Sequence, residues 1–149
     1  MNSLDDVQEV ALPERHYVGT AITSVFANHD PKRVEQHLKA FIARRFEIKH
    51  LADAGSYVCP SFVSDQLFTY LSCMEVHALP AVPEGMIGFT IPAQRYVKVR
   101  VEQGDPYELL HAYIKAKGLG NNKRGLSLEV YQVHKPLWPS EVDVYVPLL

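Results

Sequence analysis

Apolar positions along this chain follow two periods, and prolines and glycines mark where one gives way to the other. Over residues 7–26 the run Tyr17-Val18-Gly19-Thr20-Ala21-Ile22-Thr23-Ser24-Val25-Phe26 is dense in β-branched and aromatic residues, which predicts a long strand interrupted at Pro13. Gly19 marks either a bulge or a close backbone approach. The period then lengthens: Val34, Leu38, Phe41, Ile42 and Phe46 share one helical stripe over 31–46, with Asp30 as N-cap and Pro31 at the first helical position. Strands follow over 57–64, kinked at Pro60, and 67–77, joined by a turn at Asp65-Gln66. A proline-rich connector over 79–85 leads into another long strand, 86–101, broken at Pro92. A second helix covers 106–117, with Tyr107, Leu110, Tyr113 and Ile114 on its apolar side and Gly118 and Gly120 stopping it. Strands over 126–133 and 142–148, linked by a loop through Trp138, close the chain.

This order is one pattern used twice. Leu12-Pro13-Glu14-Arg15-His16-Tyr17-Val18 aligns with Ile91-Pro92-Ala93-Gln94-Arg95-Tyr96-Val97 at an offset of 79, and Asp30-Pro31 with Asp105-Pro106 at 75. Met74-Glu75-Val76 matches Leu128-Glu129-Val130. The expectation is an α+β domain over 1–149 built from duplicated βαββ units, about 7–83 and 84–149. A pseudo-twofold axis would join them into one curved antiparallel sheet with two helices on one side. A pocket belongs at the central seam, since concave sites favour such junctions. The competing expectation is a decorated ferredoxin-like domain without a pocket.

Residues 126–133 carry the candidate chemistry. Leu126, Leu128 and Val130 point to one side of a strand, and Ser127, Glu129, Tyr131 and Val133 to the other. Glutamate is depleted in strands and costly to bury. Glu129 therefore either faces solvent beside a surface base or lines a functional wall. Aromatic candidates around it are Tyr131, Tyr145 and Trp138, with Tyr57, Phe62 and Tyr70 closing the other side; each has core packing as its alternative. Glu75, in the matching triplet, is a candidate second acid or a surface strand residue.

Composition narrows the field. A net charge of -2 provides no basic footprint, so direct nucleic-acid binding is not expected. The N-terminal residues are polar and acidic, without a signal peptide's apolar run, and no stretch is long enough to span a membrane. Cys59 and Cys73 form no CxxC motif and the seven histidines are dispersed, so neither a metal nor a cofactor is expected. A cytoplasmic protein with free thiols follows. Edge strands leave monomer and homodimer both open.

The strand-Pro-x-x-x-Tyr-Val segment, the helix, Leu-Glu-Val-Tyr and the closing Val-Asp-Val-Tyr-Val-Pro-Leu together resemble the gyrase-inhibitor-like small-molecule-binding domain, over about 7–149. That module is also the effector-binding domain of multidrug-sensing regulators of the AraC and MerR types. The resemblance implies the duplicated βαββ fold and binding of bulky aromatic cations by a buried strand glutamate in an aromatic cage. Glu129 matches that glutamate, and Tyr145 an aromatic of the last strand. The chain departs from the pattern in two ways. Ile114 and Lys115 stand where many members carry a tryptophan, and no DNA-binding helices are expected ahead of the domain. It is similar to the stand-alone drug-binding proteins of mobile integron cassettes.

Three readings follow. The first is a stand-alone sensor or sequestering module for lipophilic, aromatic cationic drugs or dyes, and it is the one adopted. The second is a hydrolase of reactive electrophilic natural products, with Glu129 as general base and a tyrosine as proton donor. The third is a protein-interaction module that inhibits DNA gyrase or partners a transcription regulator. Enzymatic activity is left open, with binding favoured over turnover.

Overall fold

Proline divides each long apolar stretch into two strands with different partners. In a computed structural model, which describes residues 2–25, 30–79, 81–135 and 141–149, β1 (Gln8–Leu12) and β2 (Arg15–Val25) flank Pro13, and β5 (Ile87–Ile91) and β6 (Gln94–Val101) flank Pro92. Proline has no N–H for a ladder, so pairing stops there and the chain can change neighbours. The two halves exchange these pieces: β1 pairs with β6, and β5 with β2. The remaining strands are β3 (Ser56–Val63), β4 (Leu67–Val76), β7 (Ser127–Gln132) and β8 (Val142–Pro147). All pair antiparallel in one eight-stranded sheet of order β1-β6-β8-β7-β3-β4-β2-β5.

Swapping the halves reverses this order and leaves it unchanged, as a pseudo-twofold axis requires. The registers agree, since Leu12 faces Gln94 as Ile91 faces Arg15. Tyr17 pairs with Glu75 and its equivalent Tyr96 with Pro147, so Glu75 corresponds to Pro147 and Cys73 to Tyr145. Cys73 lies opposite Val58 and Tyr145 opposite Leu128, which makes Cys59 the equivalent of Glu129. Cys59 is also the direct cross-strand partner of Glu129, so the axis passes through this pair. The sequence match between Met74-Glu75-Val76 and Leu128-Glu129-Val130 is therefore not a structural equivalence. Strand β4 corresponds to β8, and β7 to β3.

Two local features hold the centre of the sheet. The β3–β4 register has no pair between Val58↔Cys73 and Ser61↔Tyr70, beside Pro60, which has no N–H to donate. Gly19 meets the close-approach expectation: a Cβ there would lie 1.9 Å from the Ser72 carbonyl oxygen. The β2–β4 register runs from His16↔Val76 to Val25↔Leu67 without a slip, so there is no bulge.

Helices α1 (Pro31–Arg44) and α2 (Pro106–Ala116) start alike. Asp30 accepts from the Lys32 N–H at 3.0 Å, and Asp105 from the Tyr107 and Glu108 N–H groups, with proline next in each case. Both helices cover the same face of the sheet. Leu38 and Phe41 of α1 and Leu110, Tyr113 and Ile114 of α2 pack with Val18, Met74, Val97, Val99 and Val144. The opposite face carries a second apolar layer, including Tyr17, Val58, Leu71, Tyr96 and Leu128, to which neither helix contributes. One predicted core position moves: α1 ends at Arg44, and Phe46, in the following 3-10 turn, is 78% exposed beneath the Arg45 guanidinium. None of the helices among the described residues is long and apolar enough to cross a membrane.

Candidate functional site

Strand alternation turns Glu129 and Tyr131 towards the helix-covered face, and Leu128 and Val130 towards the other. Glu129 thus projects from the middle of the sheet into the space between the N-termini of α1 and α2. A cavity of about 440 Å³ lies there, within the usual range of small-molecule sites. Pro31 and Val34 of α1 form one wall and Gly104 to Tyr107 the other; Phe68, Tyr70, Tyr131, Val142 and Val144 complete it.

The carboxylate is held by phenols. Tyr131 donates to Glu129 Oε1 at 2.6 Å, Tyr70 to the same oxygen at 3.2 Å, and Tyr107 to Oε2 at 2.5 Å. They come from three different elements, β7, β4 and the first turn of α2. Burial, followed by the Glu129 charge, pushes the Tyr107 and Tyr131 phenols well above their ordinary range. Tyr70 is raised first by burial and then by its neighbours Cys59 and Glu129. All three are neutral donors at physiological pH. Behind them, Tyr57 stacks on Tyr131 with ring centroids 5.2 Å apart. The Cys59 thiol, opposite Glu129, is fully buried and raised by burial and then by the Glu129 charge.

No lysine, arginine or histidine is among the described residues lining the cavity. Glu129 forms no ion pair among the described residues, whereas Glu75 and Asp143 elsewhere on the sheet, and Glu141 just before β8, all do. Asp105, the second acid at the rim, spends its carboxylate on the α2 cap. No cluster of metal-ligating side chains is present among the described residues.

Of the residues singled out in the sequence, Glu129, Tyr131 and Tyr70 come together, and Tyr57 supports them from behind. Tyr145 and Glu75 do not join them. Both lie on the opposite face of the sheet, around a separate cavity of about 110 Å³ where Glu75 pairs with Arg15 at 3.6 Å. Tyr145 packs edge-on against Tyr96 with the Lys98 ammonium 5.4 Å from its ring centre. Alternation in Val142-Asp143-Val144-Tyr145-Val146 accounts for this: the valines take the helix-covered face and leave Tyr145 with Asp143 on the other. Phe62 is 48% exposed and borders a neighbouring cleft instead. Trp138 lies outside the described residues. Sequence reasoning missed Tyr107, which it assigned to the helix core; an aromatic in the first turn after Asp-Pro was the available signal. Phe68 was missed as well.

An eight-stranded antiparallel sheet with two helices on one face is the architecture of the gyrase-inhibitor-like effector-binding domains. SAV2435 bound to tetraphenylphosphonium superposes with a TM-score of 0.65 at 16% identity, covering 96% of this chain and 93% of that one. An integron cassette protein from the mobile metagenome of Vibrio cholerae gives 0.64 at 11% identity, covering 97% and 96%. Within this class, residues 10–148 match the integron-associated effector binding proteins (Cass2), and the chain belongs to that family. It is also 30% identical over 126 residues to the transcriptional regulator BrlR of Pseudomonas aeruginosa, a match that covers 77% of this chain and 46% of the regulator. The chain thus spans about half the length of that curated relative.

Proposed function

We propose that this protein binds lipophilic, aromatic cations in the cavity at Glu129, as a sensor or sequestering module. One observation carries the reading: among the described residues, a central carboxylate receives only phenolic hydrogen bonds and no basic side chain lines its cavity. A carboxylate in apolar surroundings is penalised by desolvation, and an entering cation offsets that penalty. The rings of Phe68, Tyr70, Tyr107 and Tyr131 add attraction through their faces, of order 0.5–2 kcal/mol for a well-placed cation. A bulky charge-delocalised cation is favoured over an ammonium because it surrenders less hydration. Tetraphenylphosphonium, bound by SAV2435, is such a compound and makes a natural probe.

The test is calorimetric titration of tetraphenylphosphonium into wild type and Glu129→Gln, with melting curves to verify folding. Saturable binding that weakens by about tenfold or more in the variant is the expected result, since the substitution removes roughly 1.4 kcal/mol or more of charge attraction. Equal affinities would discard Glu129 as counter-charge. No binding to the wild type would discard the cation reading.

The same donors support a second reading. A carboxylate facing neutral phenols can take a proton from water while a tyrosine donates one to a leaving oxygen. Turnover of an electrophilic substrate, lost in Glu129→Gln, would favour hydrolysis over binding.

A further inference from the structure

The face of the sheet opposite the helices is buried although neither helix covers it. The strand registers explain this. Leu12 faces Gln94 and Arg15 faces Ile91, so residues 8–19 and 87–98 run past each other in one register that only the segments at Pro13 and Pro92 interrupt. The two ends of the sheet meet there, and the second apolar layer becomes the interior of a closed barrel.

Where β2 and β3 begin, that interior keeps the cavity of about 110 Å³, and the mouths of barrels are common ligand sites. Leu12, Val58, Leu128 and Val130 give it an apolar lining, together with the rings of Tyr17 and Tyr145. Its polar lining is Arg15, Asp53, Ser56 and Glu75. These groups carry both signs of charge and are only partly engaged. Arg15 and Glu75 approach to 3.6 Å through one nitrogen and one oxygen, too far for a hydrogen bond. Apart from the Tyr17 phenol, no side chain among the described residues hydrogen-bonds to the Arg15 guanidinium. Asp53 uses one oxygen, which accepts from the Gly55 N–H at 2.8 Å. The fold does not demand this pair. At the equivalent end of the barrel Gln94 and Pro147 stand in place of Arg15 and Glu75, and the Gln94 amide is engaged by the Leu148 carbonyl at 2.6 Å.

We propose that this mouth is a second ligand site, for a small zwitterion with ammonium and carboxylate on one carbon. Its carboxylate takes the open Arg15 donors, its ammonium lies against Glu75 and Asp53, and a short apolar side chain enters among Val58, Leu128 and Val130. A plain anion would face two carboxylates, and a plain amine would sit beside an unanswered guanidinium; a zwitterion satisfies both. The space equals about four waters at roughly 30 Å³ each, which suits a molecule of alanine's size. The site lies on the opposite face from Glu129 and does not depend on the cation reading.

The test follows amide chemical shifts of isotope-labelled protein during titration with three probes: L-alanine, N-acetyl-L-alanine, which lacks the ammonium, and L-alaninamide, which lacks the carboxylate. L-alanine is expected to shift the amides of Arg15, Ser56, Glu75 and Tyr145 saturably. Each blocked probe is expected to bind about tenfold more weakly or worse, a comparison that needs no variant. Arg15→Gln and Glu75→Gln, with folding verified by melting curves, should each weaken L-alanine by about tenfold. Excess tetraphenylphosphonium should leave L-alanine binding unchanged. No saturable shift at those residues, equal binding of the blocked probes, unchanged affinity in both folded variants, or displacement by tetraphenylphosphonium would each overturn the proposal. The cation reading stands or falls on its own titration.

Discussion

At the scale of the residue, Glu129 depends on hydroxyls that no other group replaces. Tyr131→Phe removes the 2.6 Å donor to Oε1 while keeping the ring stacked on Tyr57. A hydrogen bond to a charged group contributes about 1.5–3 kcal/mol, and the partial exposure of Glu129 lowers that, so a loss of about 1–2 kcal/mol in denaturant unfolding is expected. The two thiols provide a second check. Cys59 and Cys73 are both buried and free, with thiols raised chiefly by burial. Since the thiolate is the reactive form, neither should react with an aromatic disulfide reagent in the folded protein, and both should react in denaturant.

At the scale of the element, the α2 N-terminus couples stability to the site. Asp105 caps the helix and fixes the backbone from which Tyr107 reaches Glu129. Asp105→Ala should destabilise the protein by about 1 kcal/mol. It should also weaken tetraphenylphosphonium binding, whereas Asp30→Ala, at the equivalent cap, should match the stability loss with less effect on binding, because no residue of α1 bonds to the carboxylate. Comparing melting midpoints with calorimetric affinities separates the two effects. Between β2 and β4 the constraint is backbone contact. A methyl at Gly19 would overlap the Ser72 carbonyl, so Gly19→Ala should push the strands apart and lower the melting midpoint more than either cap variant.

At the scale of the whole molecule, the pseudo-twofold lays out a symmetric cavity that the sequence furnishes asymmetrically. Glu129 stands where its equivalent is Cys59, and three aromatic residues from the first half, Tyr57, Phe68 and Tyr70, line or support the cavity together with Tyr107 and Tyr131 from the second. A tyrosine-rich interior also sets the alkaline limit. Burial raises Tyr17 from 10.0 to about 12, carries Tyr57, Tyr107 and Tyr131 higher still, and holds Tyr70 well above the ordinary phenol range. Above the unfolded value near 10 the unfolded chain loses these protons and the folded one keeps them, so the stability they confer is complete below pH 10 and is lost as pH rises beyond it. Phenolate absorbance should therefore lag behind that of free tyrosine and then rise together with loss of the near-ultraviolet circular dichroism. Independent titration of the buried tyrosines near pH 10 in a still-folded protein would contradict this packing.

Helical periodicity, the Asp-Pro starts, the proline breaks and the repeated order of elements were all legible in the chain, because each depends on residues close together in sequence. The same local alternation aimed Glu129 and Tyr131 to one side. Tertiary structure alone decided that the broken strands trade partners between halves, since pairing is a long-range choice to which local pattern is blind. It also decided which rings meet the carboxylate. Tyr107 arrives from a helix N-terminus and Tyr70 from another strand, while Tyr145, closer to Glu129 in the sequence than either, is carried to the far face by the valines that flank it. A side chain's type and facing are written in its neighbours along the chain; its company across the sheet depends on how distant elements pack.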